Sequence, residues 1–187
     1  MVKNIKTVLL GIAITAIFIA AITGAYFGYK RLAEIYTPSS SVVVNENQPD
    51  YSDFSVSDRD GNFVKLSDYI GKPIVVNFWS SRCAPCVNEM PHFDKLAKEY
   101  DGRIMFFMVN VFDAKKTRAI EIVTRNGYTF PLYFDENNSA VQAYNVVNTP
   151  STLFITAEGK ILANRTGEMS EIVIRNYLDL LLREKQK

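Results

Sequence analysis

Cysteine and histidine are scarce in this chain, whose 187 residues include two cysteines and one histidine. A structural zinc site takes about four Cys or His ligands, so these residues alone cannot complete one. Covalent haem attachment requires Cys-x-x-Cys-His, but Val87 follows Cys86. The sequence therefore predicts neither a bound metal nor a cofactor.

Excess charge is also missing, because the formal net charge is only +1. No basic stripe with interleaved aromatic residues occurs, so nothing in the sequence favours binding to nucleic acid. The chain contains no internal repeat and no low-complexity tract. Its length and its 48% content of hydrophobic residues are typical of one globular domain with an appendage.

The appendage is a long apolar stretch at the N-terminus. Residues 7–29, TVLLGIAITAIFIAAITGAYFGY, carry no charge and are numerous enough to cross a hydrocarbon core of ~30 Å as a helix. Lys3 and Lys6 precede the stretch, and aromatic residues stand at its far end. We predict a short tail at 1–6 and an uncleaved transmembrane signal-anchor helix at 7–29, with a cleaved signal peptide as the alternative.

The charges that flank this stretch bear on its orientation. Two lysines and the α-amino group precede it, whereas two cations and one anion follow it, so the positive-inside bias is slight. The bias favours a cytoplasmic N-terminus. We therefore expect a single-pass protein of the cell membrane whose folded domain is extracytoplasmic.

The rest of the chain divides into a linker and one domain. Residues 30–50 include the Ser-, Asn- and Pro-rich stretch PSSSVVVNENQPD, which is typical of a tether. Residues 51–187 contain apolar strand-like runs and amphipathic segments in the order strand, helix, strand, helix, hairpin, helix. This order predicts an α/β domain with a mixed central sheet flanked by helices. Within the domain, Ser67 is predicted to cap a short helical turn.

The two cysteines follow a predicted buried strand, PIVVNFW, and open a predicted helix. A static disulfide between Cys83 and Cys86 would close a ring of only four residues and would stabilise the fold little. At a helix N-terminus, unpaired N–H groups and the helix dipole would stabilise a thiolate at Cys83, and Arg82 adds a cation. We predict a redox-active disulfide in which Cys83 is the nucleophile and the more shielded Cys86 resolves the mixed disulfide.

Three stretches of sequence together resemble a known fold: NFWSSRCAPCVNEMP, GYTFPLYFDENNSAVQAYNV and NTPSTLFI. They are similar to the thioredoxin fold, and more narrowly to the membrane-anchored thiol–disulfide oxidoreductases of the ResA/TlpA type. The resemblance covers the chain from about Phe54 to the last helix. It implies an extracytoplasmic enzyme that reduces client proteins, such as apocytochrome c or other exported thiol proteins. It also implies a membrane electron donor of the CcdA/DsbD kind.

The resemblance extends to individual site residues. Pro150 matches the cis-proline that faces the dithiol, and Thr149 would offer backbone hydrogen bonds to a bound peptide. Glu89 matches a carboxylate that exchanges a proton with the resolving thiol, and it shares a helix face with Cys86 three residues earlier. An exposed surface glutamate is the alternative for Glu89. Trp79 belongs to the Trp-x-x-x-Cys-x-x-Cys pattern and is expected to pack in the core.

Two positions depart from the family pattern. Asn77 stands where cytoplasmic thioredoxins commonly carry a buried aspartate, and an amide cannot act as a base. Arg82 stands where the family usually has tryptophan, so a cation replaces an aromatic docking surface. His92, the single histidine, is expected to be an ordinary surface or half-buried residue.

Three other functions are alternatives to a reductase. The same scaffold could form disulfides as a DsbA-like oxidant, and the reduction potential distinguishes the two. A thiol peroxidase of the peroxiredoxin kind needs Pro-x-x-x-Thr-x-x-Cys, but Val76 and Ser80 occupy the Pro and Thr positions. A Sco-like copper-binding module needs Cys-x-x-x-Cys and a distant histidine, whereas His92 lies close to the cysteines.

Overall fold

The computed structural model describes residues 2–36 and 51–184. The chain falls into two compact units, an N-terminal helix and an α/β domain. Residues 37–50, which belong to the predicted linker, and the last three residues lie outside the described part.

The N-terminal unit is helix α1, Val2–Tyr36. Its segment Gly11–Gly28 has a mean hydropathy of 1.8 and none of it is buried. Within the two described ranges, it is the one helix long and apolar enough to cross a membrane. At about 1.5 Å per residue, the helix is longer than a ~30 Å core requires. It continues beyond the predicted span 7–29 at both ends and includes residues 30–36, the start of the predicted linker.

The domain is built on one sheet of seven strands. Strands β1 to β7 are Ser55–Ser57, Phe63–Lys65, Ile74–Trp79, Met105–Asn110, Leu132–Phe134, Ser151–Ile155 and Ile161–Thr166. Their order across the sheet is β2-β1-β5-β4-β3-β6-β7. Strands β3, β4 and β5 are parallel, and the other neighbouring pairs are antiparallel. The predicted mixed sheet is therefore confirmed.

Helices connect these strands. They are α2 Ala84–Glu99, α3 Lys116–Arg125, α4 Ser139–Tyr144 and α5 Glu171–Glu184, with a short 3₁₀ helix, η1, at Leu66–Tyr69. The chain passes from β3 through α2 to β4, and from β4 through α3 to β5, moving across the sheet in one direction. Because such parallel crossovers are right-handed, α2 and α3 lie on the same face of the sheet.

Strand β3 lies at the centre of the sheet, and all six of its residues are buried. Its continuous β-branched and aromatic sequence suits a strand that is covered on both faces. Val76 and Phe78 point into one core layer with Phe54 and Phe107. Since side chains alternate along a strand, Asn77 points to the opposite face, on which α2 packs. The carboxyl end of this strand leads directly to the two cysteines.

The helical turn after β2 differs from its prediction. Ser67 does not cap η1, because the helix begins at Leu66 and its N-cap residue is Lys65. Leu66 is fully buried, and the Asp68 side chain accepts a hydrogen bond from the Lys65 N–H at 3.1 Å. Burial of the leucine therefore starts the turn earlier than local capping preference predicts.

Candidate active site

Cys83 and Cys86 form a disulfide at the start of α2, with their Cα atoms 5.3 Å apart. Cys83 is the N-cap residue, and its sulfur accepts a hydrogen bond from the Cys86 N–H at 3.2 Å. Pro85 is tolerated in the first turn because the N–H that it lacks would have no partner inside the helix. Cys83 is half-buried, whereas Cys86 is 1% exposed. The more accessible sulfur is therefore also the one that a backbone N–H and the helix dipole stabilise as a thiolate.

The loop before the cysteines is held by the carboxylate of Asp113, which follows β4. This carboxylate accepts hydrogen bonds from the Ser80 hydroxyl at 2.7 Å, the Ser81 N–H at 2.9 Å and the Asn110 amide at 2.8 Å. Burial alone would raise the pKa of Asp113, but hydrogen bonds from Asn110, Ser80 and Ser81 together hold that pKa below its ordinary value. Asp113 is thus an anionic anchor for the residues that precede Cys83.

Arg82 extends over the same anchor. Its guanidinium donates to the Phe112 carbonyl at 2.9 Å, and its Nε lies 3.8 Å from the Asp113 carboxylate. Phe112 accepts this contact in a left-handed conformation, with φ at 61°. The Arg82 side chain is 66% exposed. It thus presents a cation at the surface beside Cys83, where related proteins are expected to present an aromatic ring.

Glu89 lies inside the domain, so the alternative of an exposed helix-surface glutamate is wrong. The residue is fully buried. One carboxylate oxygen accepts from the Asn77 amide at 2.8 Å, and the other accepts from the Met169 N–H at 3.1 Å. The Asn77 amide also donates to the Thr152 hydroxyl at 3.0 Å. Glu89 stands one helical turn after Cys86, on the same side of α2.

The burial of Glu89 changes its acidity. Burial raises the pKa of Glu89 from 4.5 to about 7, against the opposing effect of hydrogen bonds from Met169 and Asn77. The nearby charge of Glu168 adds to the increase. A carboxyl with this pKa can both accept and return a proton near neutral pH, which suits general acid–base chemistry.

The Thr149–Pro150 peptide bond is cis and lies at the same edge of the sheet as the dithiol. Ser151 pairs with Phe78, so Pro150 lies level with the end of β3, from which the chain continues to Cys83. The Pro150 carbonyl accepts a hydrogen bond from the Gly167 N–H at 2.9 Å. The structure therefore places the cis-proline segment and the two cysteines at the same end of the sheet.

Trp79 and His92 take the positions expected of packing and surface residues. Trp79 ends β3, is fully buried, and has no hydrogen-bond partner for its indole nitrogen among the described residues. His92 is half-buried on α2. Among residues 2–36 and 51–184, no three His, Cys, Asp or Glu side chains group as metal ligands would.

The site also contains residues that its sequence motifs do not indicate, among them Asp113, Thr152 and Met169. Asp113 follows the apolar run that forms β4, and a carboxylate at the carboxyl end of a central strand is a general signal for a site. Thr152 and the backbone of Met169 carry no such signal. They join the site only through the sheet and through the loop before α5.

Comparison with known proteins assigns the family. The AhpC/TSA family model matches residues 48–164. The thiol-disulfide oxidoreductase ResA of Geobacillus thermodenitrificans is 33% identical over 83% of this chain and 87% of its own length. The ResA of Geobacillus kaustophilus is 32% identical over 95% of this chain and 97% of its own. The chain is a ResA-like member of the AhpC/TSA family.

A solved structure shows the same fold. A thiol:disulfide interchange protein of the thioredoxin family from Chlorobium tepidum superposes with a TM-score of 0.65, covering 73% of this chain and 97% of its own. At 20% identity this likeness shows the fold alone. The predicted thioredoxin-like fold and the resemblance to ResA are both confirmed. As a ResA-like protein, the chain is a thiol–disulfide oxidoreductase, and its N-terminal helix is long and apolar enough to cross a membrane.

Proposed function

We propose that this chain is a membrane-anchored reductase of client disulfides on the extracytoplasmic side of the cell membrane. The thiolate of Cys83 attacks a client disulfide, forms a mixed disulfide and releases one client sulfur as a thiolate. Cys86 then loses its proton and attacks the Cys83 sulfur. This second step releases the other client thiolate and leaves the Cys83–Cys86 disulfide, so two electrons pass to the client.

The observation that carries this proposal is the buried carboxylate of Glu89 behind the shielded thiol. Cys86 is nearly inaccessible to solvent, so water cannot readily take the thiol proton when Cys86 attacks the Cys83 sulfur. Glu89 lies one turn away and has a pKa of about 7. It therefore accepts the proton of Cys86 during the second step and returns it when the dithiol is regenerated.

The same carboxylate favours a reductase over a DsbA-like oxidant. DsbA is a strong oxidant because its reduced form is stabilised, and a negative charge near the thiols does the opposite. Arg82 would stabilise a thiolate at Cys83, but its charge lies 3.8 Å from the buried Asp113 carboxylate, which offsets it. The buried Glu89 carboxylate therefore supports a low reduction potential.

The remaining parts of the proposal concern the partners. Thr149 presents its backbone beside Pro150 to a client peptide, which would be apocytochrome c or another exported thiol protein. Helix α1 anchors the chain with its N-terminus in the cytoplasm. A CcdA/DsbD-like membrane protein returns electrons to the disulfide. The ResA-like sequence and the apolar α1 support this arrangement.

The reduction potential of the full chain in detergent tests the direction of electron flow. The chain is equilibrated with buffers of known potential, and the thiols are counted by alkylation. A reductase should give a value closer to that of thioredoxin, about −270 mV, than to that of DsbA, about −120 mV. A value near that of DsbA would favour the oxidant instead.

A further inference from the structure

A groove of about 420 Å³ lies beside the dithiol and is not used by the proposed chemistry. It runs between the first turns of α2 and one face of α3. Its apolar lining comes from Ala84, Val87 and Ile122. Because Ala84 directly follows Cys83, a molecule in this groove would contact the residues next to the attacking sulfur. We call it the basic groove, because three arginines line it.

The charged side chains of the basic groove are mainly arginines. Arg82 enters it from the loop, and Arg118 and Arg125 enter it from α3. Among the described residues of the lining, Glu121 is the one acidic side chain. Because Asp113 offsets the charge of Arg82, the two arginines of α3 less Glu121 leave a net charge of +1. Within residues 51–184, neither Arg118 nor Arg125 has a carboxylate oxygen within 4.0 Å. Their charges are therefore available to a ligand.

The spacing of the arginines indicates the shape of that ligand. Arg118, Ile122 and Arg125 are separated by four and three residues, which places them along one face of α3. Arg118 and Arg125 are seven residues apart, roughly 10 Å along the helix axis. An extended peptide covers this length with about three residues. A small anion would instead need cations that converge on one point.

We propose that the basic groove binds an acidic segment of the client polypeptide, close in sequence to the disulfide that Cys83 attacks. This inference rests on the proposed function and adds a substrate preference to it. The carboxylates of the segment pair with Arg118 and Arg125, and an apolar side chain between them packs on Val87 and Ile122. Such charge complementarity selects partners and accelerates their encounter.

Matched peptide disulfides test this inference with the reduced full chain in detergent. Three peptides of equal length carry Asp and Glu, Asn and Gln, or Lys beside the same disulfide. The second-order rate of reduction is measured for each by acid quenching, alkylation and mass spectrometry. The acidic peptide should react on the order of tenfold faster than the neutral one at low salt, and this ratio should fall as salt is added.

Charge-reversal variants test whether Arg118 and Arg125 cause the faster reduction of the acidic peptide. The double variant Arg118→Glu, Arg125→Glu should lower the ratio of acidic to neutral rates to one or below. Arg82 is left unchanged because it adjoins Cys83. The control is Lys72→Glu, Lys160→Glu, which makes the same change in charge on two exposed residues. Both lie at the opposite end of β3, since Ile155 pairs with Ile74, and this control should keep the wild-type ratio.

Other outcomes would overturn the inference. Equal rates for all three peptides with the wild type would do so while leaving the proposed function intact. If the arginine variant keeps the wild-type ratio of acidic to neutral rates, the preference for acidic peptides arises outside the basic groove. Glutathione disulfide serves as a small anionic probe. If its reduction slows in the arginine variant as much as that of the acidic peptide, the groove attracts small anions and does not recognise a peptide. Reduction of none of the peptides would overturn the proposed function itself.

Discussion

At the scale of single residues, Glu89 combines full burial with two hydrogen bonds to its carboxylate. Its pKa of about 7 in the folded chain lies above the ordinary value of 4.5. Between these two pH values the folded chain binds more protons than the unfolded chain. The stability that Glu89 contributes is therefore complete below about pH 4.5 and is lost as the pH rises to about 7.

Replacing Glu89 by Gln should remove this pH dependence. Relative to the variant, the wild type should lose roughly 3 kcal/mol of unfolding free energy between pH 4.5 and 7, from the size of the pKa change. The measurement is urea unfolding of the oxidised full chain in detergent, followed by tryptophan fluorescence. Trp79 is the only tryptophan, so the signal comes from the α/β domain alone.

The exposed Glu158 provides a matched control, because Glu158→Gln makes the same chemical change on the turn between β6 and β7. The free energy of unfolding of the Glu158→Gln variant should follow that of the wild type across the same pH range. Parallel curves for the wild type and Glu89→Gln would show that the Glu89 carboxyl titrates as an ordinary surface group.

The thiol titration of the reduced chain should also differ between the wild type and Glu89→Gln, because Glu89 shares a face of α2 with Cys86.

At the scale of elements, α2 must hold a fixed position because it carries both cysteines. Asp94 connects this helix to the segment after α3, where it accepts hydrogen bonds from the Thr129 N–H at 2.6 Å and from the Thr129 hydroxyl at 3.2 Å. Glu99, at the end of the same helix, pairs with Arg175 of α5 at the surface. The two carboxylates allow a buried and an exposed connection to be compared on one helix.

We expect Asp94→Ala to destabilise the domain far more than Glu99→Ala does. Loss of Asp94 leaves the Thr129 N–H without its charged acceptor and should cost about 1–3 kcal/mol. Loss of Glu99 removes an ion pair in which Arg175 contacts both carboxylate oxygens. Because Arg175 keeps its contact with Glu171, the loss should be smaller than that caused by Asp94→Ala. Urea unfolding followed by Trp79 fluorescence measures both. A larger loss for Glu99→Ala would mean that packing of α2 on α5, and not the contact with Thr129, holds the helix.

Elements with a strong local pattern could be predicted from the sequence, and contacts between distant segments could not. The apolar run of β3 and the start of α2 at the cysteines follow from neighbouring residues. The environment of Glu89 does not, because Asn77 and Met169 are 12 and 80 residues away in sequence. Ser67 fails as a cap for a related reason: the burial of Leu66 in the core outweighs the local capping preference.

At the scale of the whole molecule, an apolar helix and a redox domain are joined in one chain. Helix α1 has the composition of a membrane span, and the domain carries an accessible Cys83 and a shielded Cys86. The two together are consistent with the proposed enzyme, which stays at the membrane while it acts on exported proteins. Client chemistry and orientation can therefore be tested in one experiment with the full chain.

That experiment is the capture of mixed disulfides in intact cells. Full-length Cys86→Ser should accumulate a covalent complex between Cys83 and exported client proteins, because the resolving thiol is missing. The complexes are separated on non-reducing gels, released by a thiol reductant and identified by mass spectrometry. The matched variant Cys83→Ser should capture none. Equal capture by Cys83→Ser would contradict the assignment of Cys83 as the nucleophile, and capture of cytoplasmic proteins alone would contradict the proposed orientation.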